Sequence, residues 1–210
     1  MRQMGTVGSA GLRERKKQRT HDDLQAIATR LFLERGYHDV TIDQIVAEAD
    51  VSHRTFYRYF GSKEDLVLGD VDELLDALRE ALAERPADEP VLDSIRAAIG
   101  DLAARFAGDE AEDRARTQLI RDTPVLHQRS IERQPLLEAA LVPFIAGRLG
   151  LDADRDLLPR VLAACAMAAT GVAIDQWSAG EGDDALVARL DGALQLLADG
   201  FGSALRSPAS

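Results

Sequence analysis

The run Ser52-His-Arg-Thr-Phe-Tyr-Arg-Tyr-Phe60 crowds hydrogen-bonding side chains into one short stretch. At helical spacing Phe56 and Phe60 share one face, which leaves His53, Arg54, Tyr57 and Arg58 on the other. The chemistry this set supports is recognition rather than bond-making. A guanidinium such as that of Arg54 can fork onto O6 and N7 of a guanine. A helix over Ser52–Phe60 would be roughly 13 Å long at 1.5 Å per residue, close to the roughly 12 Å width of the B-DNA major groove. One face that holds a small domain together and one that touches DNA is the pattern of a recognition helix.

Such a helix must be held by its neighbours, and the flanking sequence supplies them. Thr41-Ile-Asp-Gln44 is a capping box, in which a hydroxyl and an amide satisfy orphan N–H groups reciprocally. Ile42, Ile45, Val46 and Ala49 follow as one apolar stripe, Asp50-Val51 breaks it, and Ser52 is a good N-cap for the next helix. Upstream, Leu24, Ile27, Ala28, Leu31 and Phe32 form a core-facing stripe, with a cap expected at Thr20-His-Asp-Asp23 and a stop at Gly36. Downstream, Gly61 ends the pattern and Ser62-Lys-Glu-Asp65 starts another, placing Lys63 at a helix N-terminus where phosphate is attracted. Two short helices joined by a tight break, set on a longer one, predict a helix-turn-helix.

The span from about Leu24 to Leu68 resembles the DNA-binding domain of TetR-type transcriptional repressors. The resemblance is carried by Leu31-Phe32, Gly36-Tyr37, Thr41-Ile42, Ile45-Val46-Ala47, Ala49, Val51-Ser52, Thr55-Phe56-Tyr57-Arg58-Tyr59-Phe60 and Lys63-Glu64-Asp65-Leu66, about a fifth of the chain. The remainder is similar to the family in length and helical character. The resemblance implies that Thr41 meets the DNA backbone and that Ser52, His53, Arg54 and Thr55 approach the bases. It also implies that Tyr57 and Tyr59 bond phosphates, beside Arg58, and that Lys63 contacts another.

Charge divides the chain in the same sense. Residues 1–63 hold 11 Lys and Arg against 8 Asp and Glu, about +3, whereas the whole chain is −11. Counterion release depends on the face presented to DNA, not on the total, so the acidic remainder is expected to be held away from the duplex. Leu12-Arg-Glu-Arg-Lys-Lys-Gln-Arg19 is expected as a basic arm, flexible or reaching a minor groove, with disorder before it.

The fold expected is all-α. Residues 1–19 form a flexible basic arm, 20–66 a three-helix DNA-binding domain with the helix-turn-helix, and 67–206 a helical ligand-binding and dimerisation domain. Further helices are expected near 62–84, 91–107, 110–121, 124–149, 155–179 and 183–205. Pro135 and Pro143 should kink or split the fourth of these, and a ligand cavity is placed near them. Val161–Ile174, a largely apolar run 14 residues long bounded by Arg160 and Asp175, is too short to span a bilayer and should be buried on most sides. With Leu186, Val187, Leu190, Leu194, Leu197, Ala198 and Phe201 it suits a symmetric four-helix interface or an intramolecular core. The resemblance implies the homodimer.

Enzymatic readings find little support. Cys165, the one cysteine, lies within the apolar run and is expected as a buried, inert thiol. His21, His38, His53 and His127 lack metal-ligand spacing, so neither a metal nor a cofactor is expected. Gly180-Glu-Gly-Asp-Asp-Ala185 loosely matches a dinucleotide fingerprint but follows a helix, and reads as a turn. The N-terminus has no apolar leader segment, and a cytoplasmic protein without membrane contact is expected.

An unidentified, partly apolar effector is expected among the later helices, lined by some of Phe106, Leu119, His127, Ile131, Phe144, Met167 and Trp177, with Arg121, Arg129 and Arg133 nearby as solvated or ligand-pairing cations. Leu119-Ile-Arg-Asp-Thr-Pro-Val-Leu126 resembles actinobacterial TetR-type regulators, which include sensors of acyl-CoA thioesters. The resemblance implies a repressor that binds a double-stranded palindromic operator as a dimer. The helix Ser62–Glu84 would swing on ligand binding and separate the two heads. A ligand-independent activator or architectural binder is the alternative, and a helical enzyme or interaction bundle a further one.

Overall fold

The computed structural model describes residues 7–180 and 185–200, with side chains from Arg19 onward. All regular structure among them is helical: α1 (Val7–Arg35), α2 (Ile42–Glu48), α3 (His53–Tyr59), α4 (Asp65–Leu68), α5 (Val71–Ala83), α6 (Val91–Arg105), α7 (Glu110–Asp122), α8 (Pro124–Leu149), α9 (Leu157–Ser178) and α10 (Leu186–Ala198). The chain divides after Asp70 into two compact units.

In the first unit, local caps decide where each helix stops and starts. Gly36, at φ +86°, ends α1, and its N–H bonds Phe32 O at 2.9 Å. Thr41 opens α2 with the capping box: Gln44 N–H donates to Thr41 Oγ1 at 3.3 Å and Thr41 N–H to Gln44 Oε1 at 2.8 Å. Asp50 then takes φ +51°, a left-handed conformation that a short acidic side chain tolerates. Ser52 Oγ accepts from Thr55 N–H at 3.1 Å and starts α3. Leu24, Leu31, Phe32, Ile45, Phe56 and Leu66 fill the centre, each fully buried.

Three boundary expectations change. Helix α1 begins at Val7, so residues 12–19 continue a helix instead of forming a flexible arm, and Thr20 lies inside the helix, not at its start. The reason is composition: Leu, Arg, Glu, Lys and Gln are all strong helix formers, with no Gly or Pro between Leu12 and Arg19. The disorder expected before them falls partly on residues 1–6, which lie outside the described residues. The helix expected over 62–84 is two helices, α4 and α5, because Gly69 at φ +72° caps α4. Leu66 and Val67 are buried with α4 in the first unit, which moves the domain boundary from 66 to 70.

The second unit packs α5, α6, α8, α9 and α10 around Leu78, Leu82, Ile95, Ala98, Ile99, Leu141, Ile145, Ala163, Ala166, Leu190 and Leu194. The turn from α5 to α6 is tied down by charge. Arg148 of α8 donates to Arg85 O at 2.9 Å and Glu89 O at 3.2 Å, and Glu89 accepts from Arg85 Nε and from Ser94 Oγ, each at 2.8 Å. The Arg85 and Ser94 hydrogen bonds hold the Glu89 carboxyl down at about 2. Helix α7 buries no residue fully. It is fastened by arginines to carbonyls at the end of α9: Arg114 to Trp177 O and Arg121 to Asp175 O, each at 2.7 Å.

Helix α8, expected to kink or split at Pro135 and Pro143, is not split there. Both prolines are exposed, on a side where the carbonyls they leave unbonded can turn to water. Cys165 is exposed, not buried. Among the described residues, one face of α9 is buried, through Ala163, Ala166, Thr170, Ala173 and Trp177. The opposite face leaves Leu157, Val161 and Val172 open to solvent with Cys165 and Ala168. At 22 residues α9 is also longer than its apolar run suggested, and by length and composition alone it could cross a membrane. Core helices of helical bundles meet that criterion too, and α9 packs on both α8 and α10. Gly180, at φ +76°, ends α9 as a turn residue would, while residues 181–184 of the expected turn lie outside the described residues.

Candidate nucleic-acid interface

Phe56 and Phe60 are buried, at 0% and 3% exposure, with tilted rings whose centroids are 5.8 Å apart. That anchors α3 and turns His53, Arg54, Tyr57 and Arg58 outward. Arg54 and the Tyr57 hydroxyl are exposed and have no hydrogen-bond partner among the described residues, which leaves both free to bond a ligand. Ser52 and Thr55 are committed at the helix start: their hydroxyls lie 3.0 Å apart while Ser52 caps. Thr41 is exposed at the start of α2, its hydroxyl accepting within the capping box.

The remaining candidates are held by neighbours. His53 Nε2 lies 2.5 Å from Asp43 Oδ1 on α2. Arg58 donates to Tyr59 Oη at 3.0 Å and sits over its ring. Tyr59 is half-buried, with its ring edge-on to His21, which stacks on Phe60 at 4.6 Å. Lys63 precedes the single turn of α4. Its ammonium donates to Tyr37 O and lies 4.1 Å over the Tyr37 ring. Burial lowers its pKa, against the pull of Glu64 and Asp39. Tyr37 Oη in turn donates to Glu64 at 2.7 Å. Arg30 bonds Glu34 at 3.0 Å and also Glu48, joining α1 to α2.

In the second unit a cavity of about 450 Å³ opens between α5 and α8, lined by Leu75, Arg79, Leu82, Leu136, Pro143 and Phe144 with three alanines. Its α8 wall runs from Leu136 to Phe144 and includes Pro143, near where a ligand cavity was expected. Of the seven side chains expected to line one, Phe144 alone does so. Phe106 and Ile131 are exposed, at 42% and 53%, as is His127, while Leu119 is half-buried on α7. Met167 packs on the core. Trp177 is buried at the end of α9, under the Arg114 guanidinium. Arg121 is spent on α9, and neither Arg129 nor Arg133 borders the cavity. Residue type alone had named these side chains, and type does not say which pair of helices leaves space between them.

Residues 26–69 match the family described as "Bacterial regulatory proteins, tetR family", and residues 89–202 match "MftR C-terminal domain". The HTH-type transcriptional regulator TcmR of Streptomyces glaucescens is 34% identical over 208 residues, covering 96% of this chain and 88% of that protein. The chain belongs to the TetR family. Its members are DNA-binding transcriptional regulators, not enzymes. Two solved structures agree in architecture. The fatty acid degradation regulator FadR of Bacillus halodurans aligns with a TM-score of 0.60 at 21% identity, covering 87% of this chain and 96% of that one. FadR of Thermus thermophilus, solved with lauroyl-CoA, gives 0.56 at 21%, covering 90% and 98%. At such identities the likeness speaks for the fold alone.

Within this TetR-family head, the sequence reading missed the residues that hold others in place. Asp43, Arg30, Glu48 and the Tyr37–Glu64 pair bridge elements far apart in the chain, and no local spacing announces them. Arg79 was legible. It lies four residues after Leu75 and three before Leu82, on the flank of the same stripe.

Proposed function

We propose that this TetR-family regulator is a repressor that binds a palindromic DNA operator as a homodimer and is released by a small, partly apolar effector. The observation that carries the DNA half is the pair of unpartnered donors, Arg54 and Tyr57, presented by a helix whose other face is sealed by Phe56 and Phe60. Arg54 reads a base. Tyr57, Tyr59, Arg58, Thr41 and Lys63 line the backbone. Lys63 keeps further N–H donors beyond the one spent on Tyr37 O. The site of action is then the cytoplasm, where the operator lies.

The dimer is supported by the open apolar stripe of α9, Leu157, Val161, Cys165, Ala168 and Val172, and by Ala188, Gly192 and Leu196 at helical spacing on α10. A two-fold interface buries the same patch on both copies. The effector is assigned to the cavity between α5 and α8, its apolar body against Leu75, Leu82, Leu136 and Phe144 and any anionic group near Arg79. An acyl-CoA thioester is one candidate of that class, and the Thermus FadR complex shows a long acyl chain bound by the same fold. Transmission cannot use one rigid helix from Ser62 to Glu84, because Gly69 interrupts it. Release requires only that the ligand bind the non-operator state better than the operator state.

Replacing Arg54 and Tyr57 together by Ala tests the reading. Each lost contact should weaken operator binding by roughly 1–3 kcal/mol, about fivefold or more, at unchanged helicity. Unchanged affinity in a gel-shift titration overturns the DNA-binding reading. For the switch, a compound that raises the melting temperature of the purified chain should lower its operator affinity. Bound compounds that never do so leave the ligand-independent alternative.

A further inference from the structure

We infer that Asp43 sets which DNA base His53 reads, by fixing the imidazole so that its second nitrogen meets the major groove as an acceptor. The inference rests on the DNA-binding reading above and extends it to one position of the operator. His53 is the first residue of α3, beside the Ser52 cap, and Asp43 stands in the first turn of α2. Their side chains come from opposite sides of the turn and meet at 2.5 Å between His53 Nε2 and Asp43 Oδ1.

A carboxylate can only accept, so Nε2 must carry the proton. In the neutral ring that leaves Nδ1 as a lone-pair acceptor, and a hydrogen bond at one imidazole nitrogen decides what the other can do. In the major groove an acceptor finds a donor on two bases, adenine through its N6 amine and cytosine through its N4 amine. Guanine offers only acceptors, N7 and O6, at the same edge, and thymine an acceptor and a methyl group. His53 held by Asp43 therefore selects adenine or cytosine and rejects guanine. Without Asp43 the ring can present either tautomer and the preference relaxes. Asp43 is a positioning residue: it acts through His53, and at 81% side-chain exposure it supports no core.

The test is selection of randomised DNA duplexes by the full-length chain, followed by base counting at every enriched position. The natural chain should show, at one position of each half-site, adenine or cytosine favoured over guanine by about fivefold or more, the lower end of the cost of a mismatch. Asp43→Ala should erase that preference while the other positions keep theirs, and His53→Ala should do the same. Adding Asp43→Ala to His53→Ala should change nothing further at that position. Asp43→Ala that raises affinity evenly for all sequences, without altering any base preference, marks a mere loss of negative charge and overturns the inference. A preference for guanine that depends on His53 overturns it too. So does an Asp43→Ala chain that enriches no duplex, because the pair would then be holding the head together. Failure of the natural chain to enrich any DNA would instead strike the DNA-binding reading itself.

Discussion

Phe56 and Tyr57 are neighbours in the chain and opposites in role, and the contrast can be measured. Phe56 has no exposed surface and Tyr57 is 57% exposed. Truncating a buried aromatic leaves a cavity as well as losing its transfer energy, so Phe56→Ala should cost about 3–5 kcal/mol in chemical denaturation. Tyr57→Ala should stay within about 0.5 kcal/mol and act on DNA binding alone. Equal losses of stability would mean that α3 is not anchored as described. At this scale the caps were legible in the sequence, because Thr41 with Gln44 and Ser52 with Thr55 act within one helical turn. The partners of His53 and Lys63 were not. Asp43 and the Tyr37 carbonyl reach them only once the turn and the end of α1 have been built in space.

Helical periodicity named most of the elements, and its errors are instructive. It predicted α6, α7 and α8 to within two residues, since Pro90, Gly108-Asp109 and Thr123-Pro124 mark where they start. It ran α4 and α5 together, because apolar spacing continues across Gly69 while the backbone there turns left-handed. It made α9 apolar all round and so buried Cys165. Periodicity counts apolar faces but cannot say whether this chain or a second copy covers them. The α5–α6 turn carries an expected pH dependence. Glu89 is held at about 2, below the ordinary carboxylate range near 4.5, chiefly by Arg85. A depressed folded-state pKa stabilises the native state above the ordinary range, and that stability is lost as the pH falls from about 4.5 through about 2. Denaturation measured across this window should show the loss in the natural chain and a flatter profile in Glu89→Gln. Identical profiles would contradict the pairing.

For the molecule as a whole, the excess of positive charge over residues 1–63 and the strongly acidic remainder assign DNA to one unit only. In the proposed function, the open stripe of α9 is the face through which the other unit pairs two chains. The family and the general layout were readable because recognition helices obey narrow local rules. The lining of the cavity between α5 and α8 was not readable, because it depends on which packed helices leave space between them. Both units serve one central claim: two copies of α3, joined through their second units, read one symmetric site. Footprinting of the full-length chain on its selected DNA tests this most directly. Two protected half-sites related by a dyad, with centres about one helical turn apart, roughly 34–36 Å, are the predicted result. A single asymmetric half-site, occupied by one chain at saturation, would contradict the account.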